Sequence, residues 1–173
     1  MRNIITMPIP NTYTDINETG CCAVPNVEEW DQKEFTFENK RFIRMHTRSF
    51  FYIPLNMSKI MRTIQEVAKS ADATMPPREV MILSRDISPW KAEQIFSVTK
   101  EILGADNVML LGTYISKVFE GPYKNVGKWA KELLEYTEDV RKTAKKTYFF
   151  YTTCPKCSKY YGKNYVIGLV EVQ

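Results

Sequence analysis

The chain has 173 residues, of which 44% are hydrophobic and 25% charged, and its formal net charge is +4. This length suits one compact domain or two small modules that share a core. No apolar run reaches the roughly 18 residues of a membrane span, which argues against a membrane partner. The start of the chain lacks the apolar segment of a secretory signal, so we expect a cytoplasmic protein.

The charge pattern argues against a nucleic-acid partner. Acidic residues are interspersed among the basic ones, whereas nucleic-acid binders concentrate positive charge along one face. The densest basic run, residues 141–146, is typical of the C-terminal end of a helix, where cations suit the helix dipole.

The first forty residues predict an irregular arm. Residues 7–35 carry Pro, Asn, Thr and Asp at the density of turns. We therefore expect residues 1–40 to form an extended arm that packs on a body made of residues 41–173. The adjacent pair Cys21 and Cys22 lies in this arm.

The first half of the body, residues 41–103, reads as strand, helix, strand, strand. Residues 41–53 are extended, and residues 57–68 repeat apolar side chains three and four positions apart, as one face of a helix does. A proline pair at 76–77 breaks the chain, and two strands follow.

The second half, residues 107–172, has the same order. Residues 107–120 are extended, and the next helix carries an apolar stripe formed by Val126, Trp129, Ala130, Leu133 and Leu134. Two strands then flank a predicted hairpin that holds Cys154 and Cys157. The matching order indicates an internal repeat. It predicts an α+β fold, in which duplicated units form a curved antiparallel sheet with two helices on one face.

Strand alternation assigns side chains to the two faces of that sheet. On the last strand, the small Gly168 suits the close approach of a helix, so we place the even-numbered residues 166–172 beneath the helices. The opposite face then receives Tyr165, Ile167, Leu169 and Glu171 from this strand, and Tyr114, Ser116 and Glu120 from the strand at 107–120. Tyr148 and Phe150 share a face, but alternation alone does not say which one.

The corner Val-Phe-Glu-Gly-Pro-Tyr at residues 118–123, together with the repeated element order, resembles the gyrase-inhibitor-like small-molecule-binding family. The resemblance covers roughly residues 41–172. Within that family the chain is most similar to a stand-alone branch often labelled hydrolase, which carries the cysteine pair of the arm, the stretch at 48–57 and the Cys-Pro-Lys-Cys segment. Since no helix-turn-helix accompanies the repeat, a stand-alone binder or enzyme is implied rather than a transcription regulator.

The resemblance implies an aromatic cleft between the two units, often with a buried carboxylate for cationic ligands. In that family the acidic residue of the cleft usually lies early in the last strand, where this chain has none. The candidates for the carboxylate are therefore Glu171, Glu120 and Glu93. The predicted ligand-binding residues are Tyr114, Glu120, Tyr148, Phe150, Tyr165 and Trp90.

Three functions follow from these residues. The first is a stand-alone protein that binds an apolar or cationic small molecule. The second is a hydrolase of an electrophilic small molecule in the same cleft, with Glu120 or Glu171 activating water and Tyr114 or Tyr148 protonating the leaving group. The motifs of common hydrolytic sites are not visible in the sequence. The third is a zinc-stabilised interaction module.

The four cysteines, Cys21, Cys22, Cys154 and Cys157, leave three interpretations open: metal binding, redox chemistry or simple packing. Zinc is the only cofactor predicted, because a tetrahedral site needs four ligands and the chain has four cysteines. Adjacent cysteines in an extended chain would point apart, which weakens this prediction. A redox pair is disfavoured because it would sit at a helix N-terminus rather than in a hairpin.

Overall fold

The computed structural model describes residues 9–173; residues 1–8, the beginning of the predicted arm, lie outside the described residues. The chain divides into two compact units. We call residues 39–110 the central unit, and the described residues up to 38 together with residues 111–173 the terminal unit.

The central unit combines one helix with antiparallel strands. Its elements are most of β1 (Lys33–Phe50), β2 (Ile53–Pro54), α2 (Met57–Ser70), β3 (Ile82–Ser88) and β4 (Lys91–Ser97). Strand β1 pairs with β2 and β4, and β4 pairs with β3. The apolar stripe predicted for α2 is confirmed, because Ile64 and Ala68 are buried against Ile43 and Phe96.

The terminal unit is built around β7. Its elements are α1 (Val27–Trp30), the beginning of β1, most of β5 (Asn107–Glu120), α3 (Val126–Asp139), β6 (Ala144–Tyr151), α4 (Pro155–Tyr161) and β7 (Tyr165–Val172). Strand β7 pairs antiparallel with both β5 and β6. Helix α3 buries Trp129 and Leu133, whereas Leu134 of the predicted stripe stays 43% exposed.

Gly168 explains how closely α3 approaches the sheet. A Cβ atom at this position would lie only 2.7 Å from Cδ2 of Leu133 and 3.1 Å from Cε2 of Phe119. Val166 and Val170, on the same side of β7, pack in the same core. The predicted placement of the even-numbered residues beneath the helix is therefore confirmed.

The mixture of helices and antiparallel strands confirms the predicted α+β class. Apart from the two-residue β2 and the short helices α1 and α4, the order β1, α2, β3, β4 matches the order β5, α3, β6, β7, and α2 and α3 have 14 residues each. The internal repeat stays a prediction. Within residues 9–173, no helix is long and apolar enough to cross a membrane. The predicted hairpin at Cys154 and Cys157 is wrong, because the chain there forms α4.

Candidate functional site

The side of the terminal sheet away from α3 carries most of the predicted ligand-binding residues. Tyr114 pairs with Glu171, Tyr148 with Leu169, and Phe150 with Ile167. Directly opposite residues of an antiparallel ladder share a face. The strand register therefore places Tyr148 and Phe150 beside Tyr114, which alternation alone left open. We call the residues on this side the aromatic face: Tyr114, Ser116, Glu120, Tyr148, Phe150, Tyr165, Ile167, Leu169 and Glu171.

Residues from the beginning of the chain pack on the aromatic face. The ring of Phe37 meets that of Tyr114 edge-on at 4.7 Å between centroids, and the ring of Tyr13 meets that of Phe150 at 6.0 Å. The hydroxyl of Ser116 donates a hydrogen bond to the carbonyl of Trp30. Consequently Tyr114, Tyr148 and Phe150 are each no more than 2% exposed.

Glu171 lies directly opposite Tyr114 in the pairing of β5 with β7. It is half-buried, and it takes part in no ion pair among residues 9–173. Burial, together with the charge of Glu171 and the neighbouring Tyr148, raises the pKa of Tyr114, so this phenol keeps its proton at neutral pH. Glu120 is exposed at the end of β5, opposite the half-buried Tyr165.

The remaining candidates lie in the central unit. Glu93 is buried, and its carboxylate is held by the Arg85 guanidinium at 2.7 Å and by that of Arg44 at 3.4 Å. Trp90 is 52% exposed at the turn between β3 and β4, with its ring centroid 4.9 Å from that of Phe51. The ligand-binding and catalytic roles of all these residues stay predictions.

The second feature of the terminal unit is a cluster of all four cysteines. The Sγ atoms of Cys21, Cys22, Cys154 and Cys157 lie within 4.8 Å of one another. All four are free thiols, with Cys157 buried and Cys21 exposed. We call this group the cysteine cluster.

Helix α4 positions one half of the cluster. Cys154 precedes the helix, Pro155 occupies its first turn, and Gly162 ends it in the left-handed conformation at φ 72°. Proline suits a first turn because it lacks only an N–H that the helix would leave unpaired, and glycine suits a left-handed cap because it has no Cβ. One turn of helix therefore brings the two sulfurs of the Cys-Pro-Lys-Cys segment together.

A turn centred on Thr19 positions the other half. The Thr19 hydroxyl accepts hydrogen bonds from the backbone N–H groups of Cys21 and Cys22, both at 3.2 Å. Gly20, between Thr19 and Cys21, has a left-handed φ of 72°. The two adjacent Sγ atoms consequently lie 3.8 Å apart. The expectation that adjacent cysteines point apart is wrong here, because the segment bends instead of extending.

The thiols of the cluster differ in acidity. A hydrogen bond with the Thr19 hydroxyl, at 3.3 Å, lowers the pKa of Cys157 to about 7, and contacts with Cys154 and Cys22 act in the same direction. Burial raises the pKa of Cys22. Cys157 is thus the thiol of this pair that loses its proton more readily near neutral pH.

The donor set fits a four-coordinate metal. Zinc–sulfur bonds of about 2.3 Å in a tetrahedron require sulfurs about 3.8 Å apart. The cluster meets this separation between Cys21 and Cys22 and stays within 4.8 Å throughout. Four thiolates in this arrangement are typical of zinc or of iron–sulfur centres.

Comparison with known proteins connects the chain to a family. The family described as "Bacterial hydrolase" matches residues 12–172. No curated protein matches the chain.

Solved structures share the fold. An uncharacterised conserved protein from Listeria innocua has a TM-score of 0.61 at 10% identity, over 83% of this chain and 93% of that one. A hydrolase from Listeria innocua has 0.58 at 13%, over 83% and 92%. A structure of SAV2435 bound to tetraphenylphosphonium has 0.51 at 14%, over 83% and 94%. None of these names mentions the gyrase-inhibitor-like family, so that resemblance stays a prediction.

Proposed function

The chain belongs to the family described as bacterial hydrolase, and from this premise we propose that it binds a lipophilic organic cation on the aromatic face. The observation that carries the proposal is the half-buried carboxylate of Glu171, which has no cationic partner among residues 9–173 and pairs across the strands with Tyr114. A carboxylate and aromatic rings together offset the desolvation of a large cation.

Glu93 would not serve the same purpose. Two guanidinium groups already neutralise its carboxylate, so a ligand cation would have to compete with them. The structure of SAV2435 with tetraphenylphosphonium supports the ligand class, since that protein shares the fold and was captured with a lipophilic cation.

Binding on the aromatic face requires some of the covering rings to move. Phe37 and Tyr13 lie on Tyr114 and Phe150, which are almost fully buried. The apparent affinity is therefore the intrinsic affinity reduced by the fraction of molecules in which the face is open.

The test is a calorimetric titration with tetraphenylphosphonium and, in parallel, with the neutral triphenylphosphine oxide. Glu171→Gln should weaken binding of the cation about tenfold, because the carboxylate no longer balances its charge, and should leave the neutral compound unaffected. Glu135→Gln is the matched control, since Glu135 is exposed on α3 and pairs only weakly with Lys131 at 3.9 Å. Equal cation affinity in both variants, or no binding by the unmodified protein, would overturn the proposal.

The family description favours a second candidate function, hydrolysis of an electrophilic small molecule. In this reaction Glu171 would take a proton from the attacking water, and the protonated Tyr114 would supply one to the leaving group. With a chromogenic ester as substrate, Glu171→Gln should lower turnover about a hundredfold while binding of triphenylphosphine oxide persists. Turnover that is no faster than in buffer would exclude this function for esters.

We also propose zinc as a structural cofactor of the cysteine cluster. It would supply no chemistry to the aromatic face and would act by holding two parts of the chain together. The same ion is what the zinc-stabilised interaction module, the third predicted function, would need.

A further inference from the structure

We infer that the cysteine cluster binds zinc and acts as a clamp. It fastens residues 15–22, which we call the tip of the N-terminal arm, to α4 and so keeps the arm closed on the aromatic face. The metal site itself stands apart from the proposed function. The predicted effect of zinc on ligand binding rests on the proposed function, that is, on cation binding at the aromatic face.

The donor set distinguishes a metal site from a disulfide. A disulfide joins two sulfurs at about 2 Å, so two disulfides would divide the four sulfurs into two separate pairs. Here four sulfurs occupy one site, with 3.8 Å between the Sγ atoms of Cys21 and Cys22 and 4.8 Å as the upper limit for all pairs. Lys156 and Lys159 are exposed on α4, the helix that contains Cys157, and their positive charge would partly offset the net charge of −2 of a zinc ion with four thiolates.

The site joins parts of the chain that are far apart in sequence. Thr19 and Cys157, which touch within it, are separated by 138 positions. A metal that joins such distant segments removes much of the freedom of the unfolded chain. It would therefore act as a cross-link, although no covalent bond connects the two segments.

Two hydrogen bonds of the Tyr161 side chain connect residues 18 and 22 of the arm to α4. The Tyr161 hydroxyl donates to the carbonyl of Cys22 at 2.8 Å and accepts from the N–H of Glu18 at 3.1 Å. Residues 15–18 and 20–21 are exposed. Because water competes for exposed hydrogen bonds, a metal bound by the cysteine cluster would add to what holds this part of the arm on α4.

The tip is connected to the aromatic face by the pairing of the arm with itself. The N–H of Thr14 donates to the carbonyl of Val24 at 2.8 Å, and the N–H of Val24 donates to the carbonyl of Ile16 at 2.7 Å. Tyr13, one residue further, places its ring on Phe150 and donates its hydroxyl to the Thr152 carbonyl at 2.9 Å. Fixing the tip therefore also fixes the ring that covers Phe150.

The first experiment measures the metal on the full chain purified under reducing conditions. Elemental analysis should find about one zinc per chain, and Cys154→Ser and Cys21→Ser should each remove most of it. Cobalt loaded in place of zinc should show the visible absorption of a tetrahedral thiolate site. A chain that contains no zinc, that contains iron instead, or that has its four cysteines in disulfides overturns the inference.

The second experiment measures the arm. Removing zinc with a chelator should speed hydrogen exchange of the amides at 12–25 about tenfold or more, without changing the exchange of α3. Tyr161→Phe should have a smaller effect in the same direction, while Tyr160→Phe, whose side chain is 62% exposed on the same helix, should have none. Unchanged exchange after the metal is lost would overturn the clamp, and the chelator makes this test independent of whether the serine variants fold.

The third experiment separates the clamp from the proposed function. If both are correct, the zinc-free protein should bind tetraphenylphosphonium about tenfold more tightly than the loaded protein, because the face opens more often. If zinc binds and protects the arm but neither form binds the cation, the clamp stands and the proposed function fails. If the cation binds equally with and without zinc, the proposed function stands and the clamp does not control the face.

Discussion

The central and terminal units each pack a 14-residue helix on antiparallel strands, but their polar side chains differ. Each has a 14-residue helix that follows an asparagine, Asn56 in one and Asn125 in the other, and packs its apolar side on antiparallel strands. The central unit joins its last two strands by a tight turn at Pro89 and Trp90, whereas the terminal unit inserts α4 with two cysteines.

The two units also differ in the surroundings of one glutamate each. Glu93 of the central unit is buried and paired with two arginines, whereas Glu171 of the terminal unit is half-buried beside a tyrosine and without an ion pair among residues 9–173. The carboxylate of Glu93 is already neutralised by its partners, whereas that of Glu171 is the one for which we propose a cationic ligand. The two units therefore resemble each other in the packing of a helix on antiparallel strands and differ in the placement of charge and in the connection between their last two strands.

The largest expected effect tests the two acids against each other. Glu93→Gln should lower the free energy of unfolding by about 3 kcal/mol, because it removes the buried carboxylate that pairs with Arg85 at 2.7 Å and with Arg44 at 3.4 Å. Glu171→Gln should cost less than about 1 kcal/mol, since it disrupts no ion pair. Urea denaturation of the two variants measures the free energy of unfolding. An equal decrease in both would contradict the difference between the two glutamates.

The second prediction tests how closely the helix and the sheet pack in the terminal unit. Gly168→Ala should destabilise the protein by about 2 kcal/mol, because the added Cβ would overlap Leu133. Gly127→Ala is its control: this glycine lies in α3 with no atom near the added Cβ, so the change should stabilise by up to about 1 kcal/mol. Thermal unfolding of both variants provides the measurement. If Gly168→Ala were neutral, α3 would have to pack more loosely than described.

The smallest effect concerns the turn between β1 and β2 of the central unit. Phe51 and Tyr52 adopt left-handed φ values of 45° and 70°, which cost side chains with a Cβ free energy. Tyr52→Gly should therefore raise the free energy of unfolding by about 0.5 kcal/mol. Tyr160→Gly, at an exposed position in helix α4, should lower it by about that amount. A loss of stability for Tyr52→Gly would mean that the tyrosine ring contributes more than its backbone costs.

Much of the terminal unit could be predicted from local patterns. The two-residue period of β7 and the small Gly168 predicted which side faces the helix, because both are local properties of one strand. Helix α4 could also have been predicted, since Pro155 and Gly162 are the usual signals of a helix start and end. The prediction instead interpreted this segment as a turn between two strands.

Other features were decided only by tertiary structure. The period of β6 was known, but its face depended on which residue of β7 lies opposite Tyr148, and that register is set by the whole sheet. The meeting of Cys21 and Cys22 with Cys154 and Cys157 joins segments more than a hundred residues apart. The sequence alone indicated the four possible sulfur donors and the side of β7 that faces the helix, because these follow from residue type and local period. Only folding decided their partners, because contacts between distant segments depend on how the whole chain packs.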